Sequence, residues 1–133
     1  MDASLRRPGD ARRYATESTV TESQTLLWLD DERDPAEARW HAYFPISQPT
    51  VIWIKSYDEF VEWIFSNGIP NAICFDHDLG HGPSGFDAAK WLTEFCLDNG
   101  ERIPAWSIQS ANPIGKENII ALLKSFERII ENQ

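Results

Sequence analysis

Aspartate residues follow two of the most apolar runs of the sequence. Asp30 and Asp31 come directly after the run TLLWL, whereas Asp76 and Asp78 follow the run AICF. Four carboxylates in one small crevice would repel one another unless protons or a divalent cation compensated their charge. Oxygen ligands without a cysteine pair or clustered histidines favour Mg²⁺ or Mn²⁺ over Zn²⁺. We therefore predict a metal site formed by Asp30, Asp31, Asp76 and Asp78, although Asp78 could instead hold the glycine-rich turn that follows it.

The segment SANPIGK carries groups that are suited to binding a phosphate. Asn112 and Pro113 are typical of the cap and the first position of a helix, so the first-turn N–H groups and the positive helix end would face a bound anion. We expect Asn112 and Gly115 to bind the ligand and the Ser110 hydroxyl to donate to a phosphoryl oxygen. Lys116 lies in the first turn, where a cation opposes the helix dipole unless it neutralises a phosphate.

His77 lies between two of the aspartates and is of the residue type most often used as a general acid or base. We expect it to act in catalysis together with Asp76, Ser110 and Lys116. Alternation along the turn could instead point its ring away from the metal, and both orientations remain open. The acids have a second interpretation as helix caps and turn formers, which we accept for Asp34.

Short apolar runs and helical patterns alternate along the chain and would position these residues. Four runs are apolar on both faces, as in buried parallel strands, at 25–30, 51–54, 72–75 and 105–108. Helix starts follow them at 34–35, 56, 84 and 112–113, and the third helix extends to about residue 98. This order predicts an α/β fold, a doubly wound parallel sheet of about four strands with helices on both faces. Ligands of such sheets bind beyond the carboxyl ends of the strands, where the segments described above fall.

Composition and charge exclude several classes of protein. The chain has 133 residues with 42% hydrophobic content and six tryptophans, enough for one domain with a core that needs no disulfide or structural metal. Cys74 and Cys96 lie in apolar surroundings and outside any CxxC pair, so we predict reduced core cysteines. A net charge of −9 argues against a broad nucleic-acid surface.

Residues 1–24 differ in composition from the rest of the chain. They have little apolar pattern, and their four arginines are balanced by four acidic residues, which indicates a flexible arm before a domain at 25–133. The excess of acids, with eight basic and seventeen acidic residues, belongs to that domain. The chain has neither a membrane-spanning apolar run nor a secretory leader, so we expect a cytoplasmic protein without membrane contact.

Three ordered motifs, LDDERDP at 29–35, FDHDLG at 75–80 and SANPIGKENI at 110–119, resemble those of the cyclic-phosphate processing receiver-like domain. That family is a variant of the response-regulator receiver, and the resemblance covers 25–133. It implies a truncated receiver-like (flavodoxin-like) fold that binds and acts on a nucleotide or RNA-end cyclic phosphate through a metal. The resemblance implies that Asp30, Asp31 and Asp76 bind the cation. It implies that His77 and Asp78 complete the acidic turn. It also implies that Ser110, Asn112 and Lys116 contact the phosphate.

The sequence departs from the family pattern at two places. An ordinary receiver carries its lysine after a fifth strand, whereas this chain ends with the helix after strand four, which counts against phosphotransfer signalling. Gln109 stands where the family commonly has histidine; if that histidine transfers the proton, this protein would bind a cyclic phosphate without cleaving it. Three functions therefore remain open: a metal-dependent cyclic phosphodiesterase, a receiver phosphorylated on Asp76, and a non-catalytic binder of a cyclic nucleotide signal.

Overall fold

A computed structural model describes residues 23–132 of the protein. Four strands form one parallel sheet in the order β2-β1-β3-β4, which confirms the predicted α/β architecture. The strands are β1 (Thr25–Leu29), β2 (Thr50–Ile54), β3 (Ala72–Phe75) and β4 (Ala105–Ile108). The α-helices are α1 (Tyr57–Asn67), α2 (Gly85–Asn99) and α3 (Pro113–Glu131). The arm predicted at 1–24 lies outside the described residues except for its last two, so the domain boundary stays a prediction.

The two central strands are buried on both faces. Leu27 and Leu29 of β1 belong to the larger part of the core, which all three α-helices cover. Leu26 and Trp28 point to the opposite face, because side chains alternate along a strand, and there they join a smaller cluster with Cys74. This burial explains why both strands read as continuous apolar runs. Cys74 and Cys96 are free and buried, as predicted.

The segment between β1 and β2 covers the smaller face with a 3-10 helix, Ala38–Tyr43. The sequence of Asp34 and Pro35 predicts a helix start three residues earlier, and that prediction is wrong. The Asp34 carboxylate accepts a hydrogen bond from the N–H of Ala36 and closes a turn instead of capping a helix. Glu37, the residue before the 3-10 helix, has extended backbone and caps it with no side-chain hydrogen bond.

The α-helices begin at the predicted residues. Ser56 caps α1, Ser84 forms a capping box with Asp87 at the start of α2, and Asn112 caps α3. Helix α2 ends before Gly100, which has a left-handed backbone conformation. Among the helices of residues 23–132, none is both long and apolar enough to cross a lipid bilayer.

Strand pairing brings the residues that follow β1, β3 and β4 to one edge of the sheet. Leu29 pairs with Phe75, and Phe75 pairs with Ile108. Ladder hydrogen bonds continue one residue further, because the N–H of Asp76 donates to the Leu29 carbonyl at 2.9 Å and that of Gln109 to the Phe75 carbonyl at 3.0 Å. The carboxyl edge is therefore ordered by the sheet itself.

Candidate functional site

Three carboxylates converge at the carboxyl edge of the sheet. Asp30, Asp31 and Asp76 each place an oxygen within 4.8 Å of the others. Asp30 is fully buried, Asp76 is 4% exposed and Asp31 is half-buried. We call these three residues the carboxylate triad. Three of the four predicted metal ligands thus lie together.

The backbone and two neighbouring side chains fix the Asp30 carboxylate. Its Oδ1 accepts hydrogen bonds from the N–H groups of Glu32 and Arg33, both at 2.9 Å. Its Oδ2 accepts from Arg33 Nη1 at 3.1 Å and from Gln109 Nε2 at 3.3 Å. The turn that follows β1 therefore closes around this carboxylate.

Asp76 is the carboxyl group of the site whose ionised form is disfavoured by its surroundings. Burial and the repulsion by Asp30 and Asp31 raise its pKa to about 6, although the Arg33 guanidinium and a hydrogen bond with Ser110 act in the opposite direction. A divalent cation would relieve this repulsion. The triad offers hard oxygen donors only, so its chemistry fits Mg²⁺ or Mn²⁺.

Arg33 is a residue of the site that was not among the predicted site residues. Its Nη1 lies 3.1 Å from Asp30 Oδ2 and 3.4 Å from Asp76 Oδ2, so one guanidinium group bridges two triad members. Its spacing of three residues from Asp30, within an otherwise acidic segment, was the available signal. Arg33 partly neutralises the triad when no metal is bound.

Asp78 lies at the same edge but outside the triad. Its side chain is 67% exposed, and its Oδ1 accepts a hydrogen bond from His77 Nδ1 at 2.9 Å. Hydrogen bonds with His77 and Asn112 lower the pKa of Asp78. The ring of His77 lies against the first turn of α3, since a Cβ on Gly115 would come within 2.4 Å of it. The His77 ring is therefore on the α3 side of the turn.

The segment SANPIGK uses several of its polar groups internally. Asn112 Oδ1 accepts from the N–H of Gly115 at 2.9 Å, so the N–H predicted to face a ligand is occupied by the helix cap. Ser110 Oγ accepts from the N–H of Asn112 at 3.1 Å, and the Ser110 hydroxyl lies near enough to Asp76 to lower the pKa of that carboxyl. Lys116 lies half-buried in the first turn and makes no ion pair with any residue of 23–132.

A crevice of about 300 Å³ opens onto these groups. Its lining consists of Asp31, Glu32, Arg33, Asp76, Asp78, Gly80 and Ala111. Gly80 has a φ of 77°, and a Cβ there would lie 3.2 Å from Asp31 Oδ2, so the turn needs glycine beside the triad. Gln109 lies beneath the crevice, 3% exposed, and its Oε1 is buried without a hydrogen-bond partner among the described residues.

Comparisons with known proteins agree with this architecture. The family described as "Cyclic-phosphate processing Receiver domain" matches residues 25–125. A search of curated proteins finds no match.

Three solved structures resemble the chain at low identity. A protein fused to the yeast Spc42 trimeric coiled coil is 18% identical, with 85% of each chain covered and a TM-score of 0.52, which supports the fold alone. The N-terminal domain of a response regulator/sensory box/GGDEF protein from Carboxydothermus hydrogenoformans is 16% identical, with 82% of this chain and 98% of that chain covered and a TM-score of 0.46. A response regulator receiver protein from Sinorhizobium medicae has 17% identity, the same coverage and a TM-score of 0.49.

Proposed function

Because the chain belongs to the cyclic-phosphate processing receiver domain family, we propose that it binds Mg²⁺ or Mn²⁺ and hydrolyses the cyclic phosphate of a nucleotide or an RNA end. The metal ligands in this proposal are Asp30, Asp31 and Asp76, whose oxygens lie within 4.8 Å of one another. That convergence is the observation that carries the proposal. Keeping three carboxylates together, two of them buried, is electrostatically costly, and binding a cation would offset the cost.

The bound cation would act as a Lewis acid on a phosphoryl oxygen. Ring opening adds water to phosphorus and breaks one P–O ester bond, and the ester oxygen leaves as a hydroxyl after it gains a proton. In this proposal the Ser110 hydroxyl turns from the Asp76 carboxyl to donate to the phosphate, and Lys116 supplies positive charge from the first turn of α3. Asn112 holds this segment by accepting a hydrogen bond from the N–H of Gly115.

His77 is our candidate for the proton transfer. Since Asp78 is an acceptor, the bond between them fixes the proton on Nδ1 and leaves Nε2 as the free ring nitrogen. Because Gly115 has no side chain, the His77 ring can lie against the first turn of α3. His77 itself does not line the crevice, so in this proposal the substrate reaches it past Asp78, which does.

The size and charge of the molecule limit the substrate. A crevice of about 300 Å³ can take a phosphate with its ribose. A chain of net charge −9 is unsuited to gripping a long nucleic-acid backbone, so a mononucleotide or a single RNA end is the favoured ligand. We propose that this activity is cytoplasmic, because the reducing conditions of the cytoplasm keep cysteines such as the two buried free ones in the thiol form.

Substitution of one ligand tests the proposal. Purified protein is incubated with 2′,3′- and 3′,5′-cyclic nucleotides and Mn²⁺ or Mg²⁺, and products are separated by chromatography. Asp76→Asn should lower turnover on the order of a hundredfold or more, as should chelation of the metal. Asp98→Asn, an exposed acid of α2, is the matched control and should behave as wild type. Equal turnover by Asp76→Asn and wild type would contradict the proposal.

The same experiment separates the other two functions. Stoichiometric binding of a cyclic nucleotide without product would identify a non-catalytic binder. A receiver phosphorylated on Asp76 would instead gain mass on that residue when it is incubated with a small phosphodonor and Mg²⁺, and the added group would be labile in base.

A further inference from the structure

Arg33 lies inside the site that the proposed function assigns to a divalent cation. Its Nη1 contacts Asp30 Oδ2 at 3.1 Å and Asp76 Oδ2 at 3.4 Å. Both carboxylates are buried, whereas the Arg33 side chain is 23% exposed and lines the crevice. A guanidinium and a divalent cation that used the same two oxygens would repel each other, so they compete for the triad.

Two tryptophans also contact Arg33. The carbonyl of Arg33 accepts a hydrogen bond from Trp28 Nε1 at 2.8 Å, and Trp28 is fully buried in the smaller core cluster. The guanidinium carbon lies 5.3 Å from the centre of the Trp40 ring, within the range of a cation–π contact. The backbone of Arg33 is therefore fixed, and its guanidinium keeps an aromatic surface when it leaves the carboxylates.

We propose that Arg33 is an internal counter-ion of the carboxylate triad that gives way to the divalent cation and then pairs with the phosphate. This inference rests on the proposed function and assigns a substrate-positioning role within it. The guanidinium has a planar set of N–H donors that matches the oxygens of a phosphate. It also lines the crevice that a phosphate would enter. Arg33 thus pairs with the carboxylates before metal binds and with the phosphate of the substrate afterwards.

Coupling between the two ligands follows from this exchange. A cation on the triad and a displaced guanidinium stand close together in one crevice and repel each other. A phosphate between them removes that repulsion, so phosphate should tighten metal binding and metal should tighten phosphate binding by the same factor. Without Arg33, metal should bind more tightly on its own and phosphate should tighten it less.

Calorimetric Mg²⁺ titrations at pH 8, with and without inorganic phosphate, test this exchange. Arg33→Gln should bind Mg²⁺ at least about tenfold more tightly than wild type, because the competing charge is gone, and should lose most of the enhancement by phosphate. Arg39→Gln is the matched control. Its guanidinium also stacks on Trp40, at 4.7 Å, but it pairs with Glu37 instead of the triad. This control should keep wild-type affinity and wild-type enhancement.

The titrations decide the inference independently of turnover. Unchanged or weaker Mg²⁺ binding by Arg33→Gln would overturn it, as would an enhancement by phosphate equal to that of wild type. A wild-type protein that shows the coupling but cleaves no cyclic nucleotide would refute the proposed hydrolysis and leave the role of Arg33 standing.

A measurement on unsubstituted Arg33 covers the case in which Arg33→Gln does not fold. Displacement of the guanidinium from the carboxylates should alter the fluorescence emission of Trp40. The Trp40 contribution is the fluorescence of wild type minus that of Trp40→Phe, recorded as Mg²⁺ is added. A saturable change at the calorimetric affinity supports the exchange. An emission difference that is insensitive to Mg²⁺ would overturn it.

Discussion

Removal of the charge of Asp76 should stabilise the metal-free protein while it abolishes metal binding. The carboxyl is 4% exposed and its pKa is raised from 3.8 to about 6, mainly by burial and by the charge of Asp30. The folded protein therefore binds this proton more tightly than the unfolded chain does. The stability contributed by this group is complete at low pH and is lost as the pH rises from about 4 through about 6.

The size of the effect follows from the pKa. A shift of about two units at about 1.4 kcal/mol per unit corresponds to about 3 kcal/mol that ionised Asp76 costs the folded state at pH 7.5. Asp76→Asn keeps the shape and loses the charge, so its free energy of unfolding in chelator should exceed that of wild type by about 1–3 kcal/mol. The difference should shrink as the pH falls below 6.

Urea denaturation in chelator at pH 7.5 and pH 4.5 measures this difference. Asp78→Asn is the control, because Asp78 is exposed and its pKa is lowered by His77, so loss of its charge should bring no gain. The reasoning is refuted if Asp76→Asn is less stable than wild type at pH 7.5. That result would mean that the ion pair with Arg33 outweighs burial and like-charge repulsion.

Three further predictions concern the same edge of the sheet. Mg²⁺ affinity, measured by calorimetry, should fall about tenfold from pH 7 to pH 5, because protons compete for Asp76 below about pH 6; a flat profile would contradict this. Gly85→Ala should destabilise the fold by about 1–3 kcal/mol in urea, because its Cβ would lie 1.7 Å from the Asp76 carbonyl oxygen; wild-type stability would count against the structure. Gln109→Leu should weaken metal binding about tenfold by calorimetry, because it removes the hydrogen bond from Gln109 Nε2 to the Asp30 carboxylate at 3.3 Å; wild-type affinity would show that this bond does not orient the ligand.

Much of the fold could be predicted because the local signals were strong. Strands β1 and β3 are buried on both faces, and only continuous apolar runs satisfy such positions. Ser84 and Asn112 mark helix starts through hydrogen bonds that need those side chains. Convergence of Asp30 with Asp76 then follows from parallel pairing, because residues after neighbouring strands share an edge.

The remaining features depend on contacts that spacing along the chain does not reveal. The Asp34 side chain accepts from the N–H of Ala36, as a helix cap can, yet residues 35–36 form a turn and the 3-10 helix begins only at Ala38. The N–H of Gly115 is taken by the cap, and its missing side chain makes room for the ring of His77. Arg33 reads as a surface residue in an acidic loop until the fold brings Asp76 to it.

Phosphorus NMR of cyclic nucleotides tests the central claim most directly. The protein is added to 2′,3′- and 3′,5′-cyclic nucleotides with Mg²⁺ or Mn²⁺, and the spectra are repeated with chelator and with Asp76→Asn. We expect a cyclic phosphate resonance to convert to a monoester, and we expect the conversion to disappear in both controls. A cyclic resonance that persists unchanged with metal, or that converts equally well in chelator, would contradict metal-dependent cyclic-phosphate hydrolysis at the carboxylate triad.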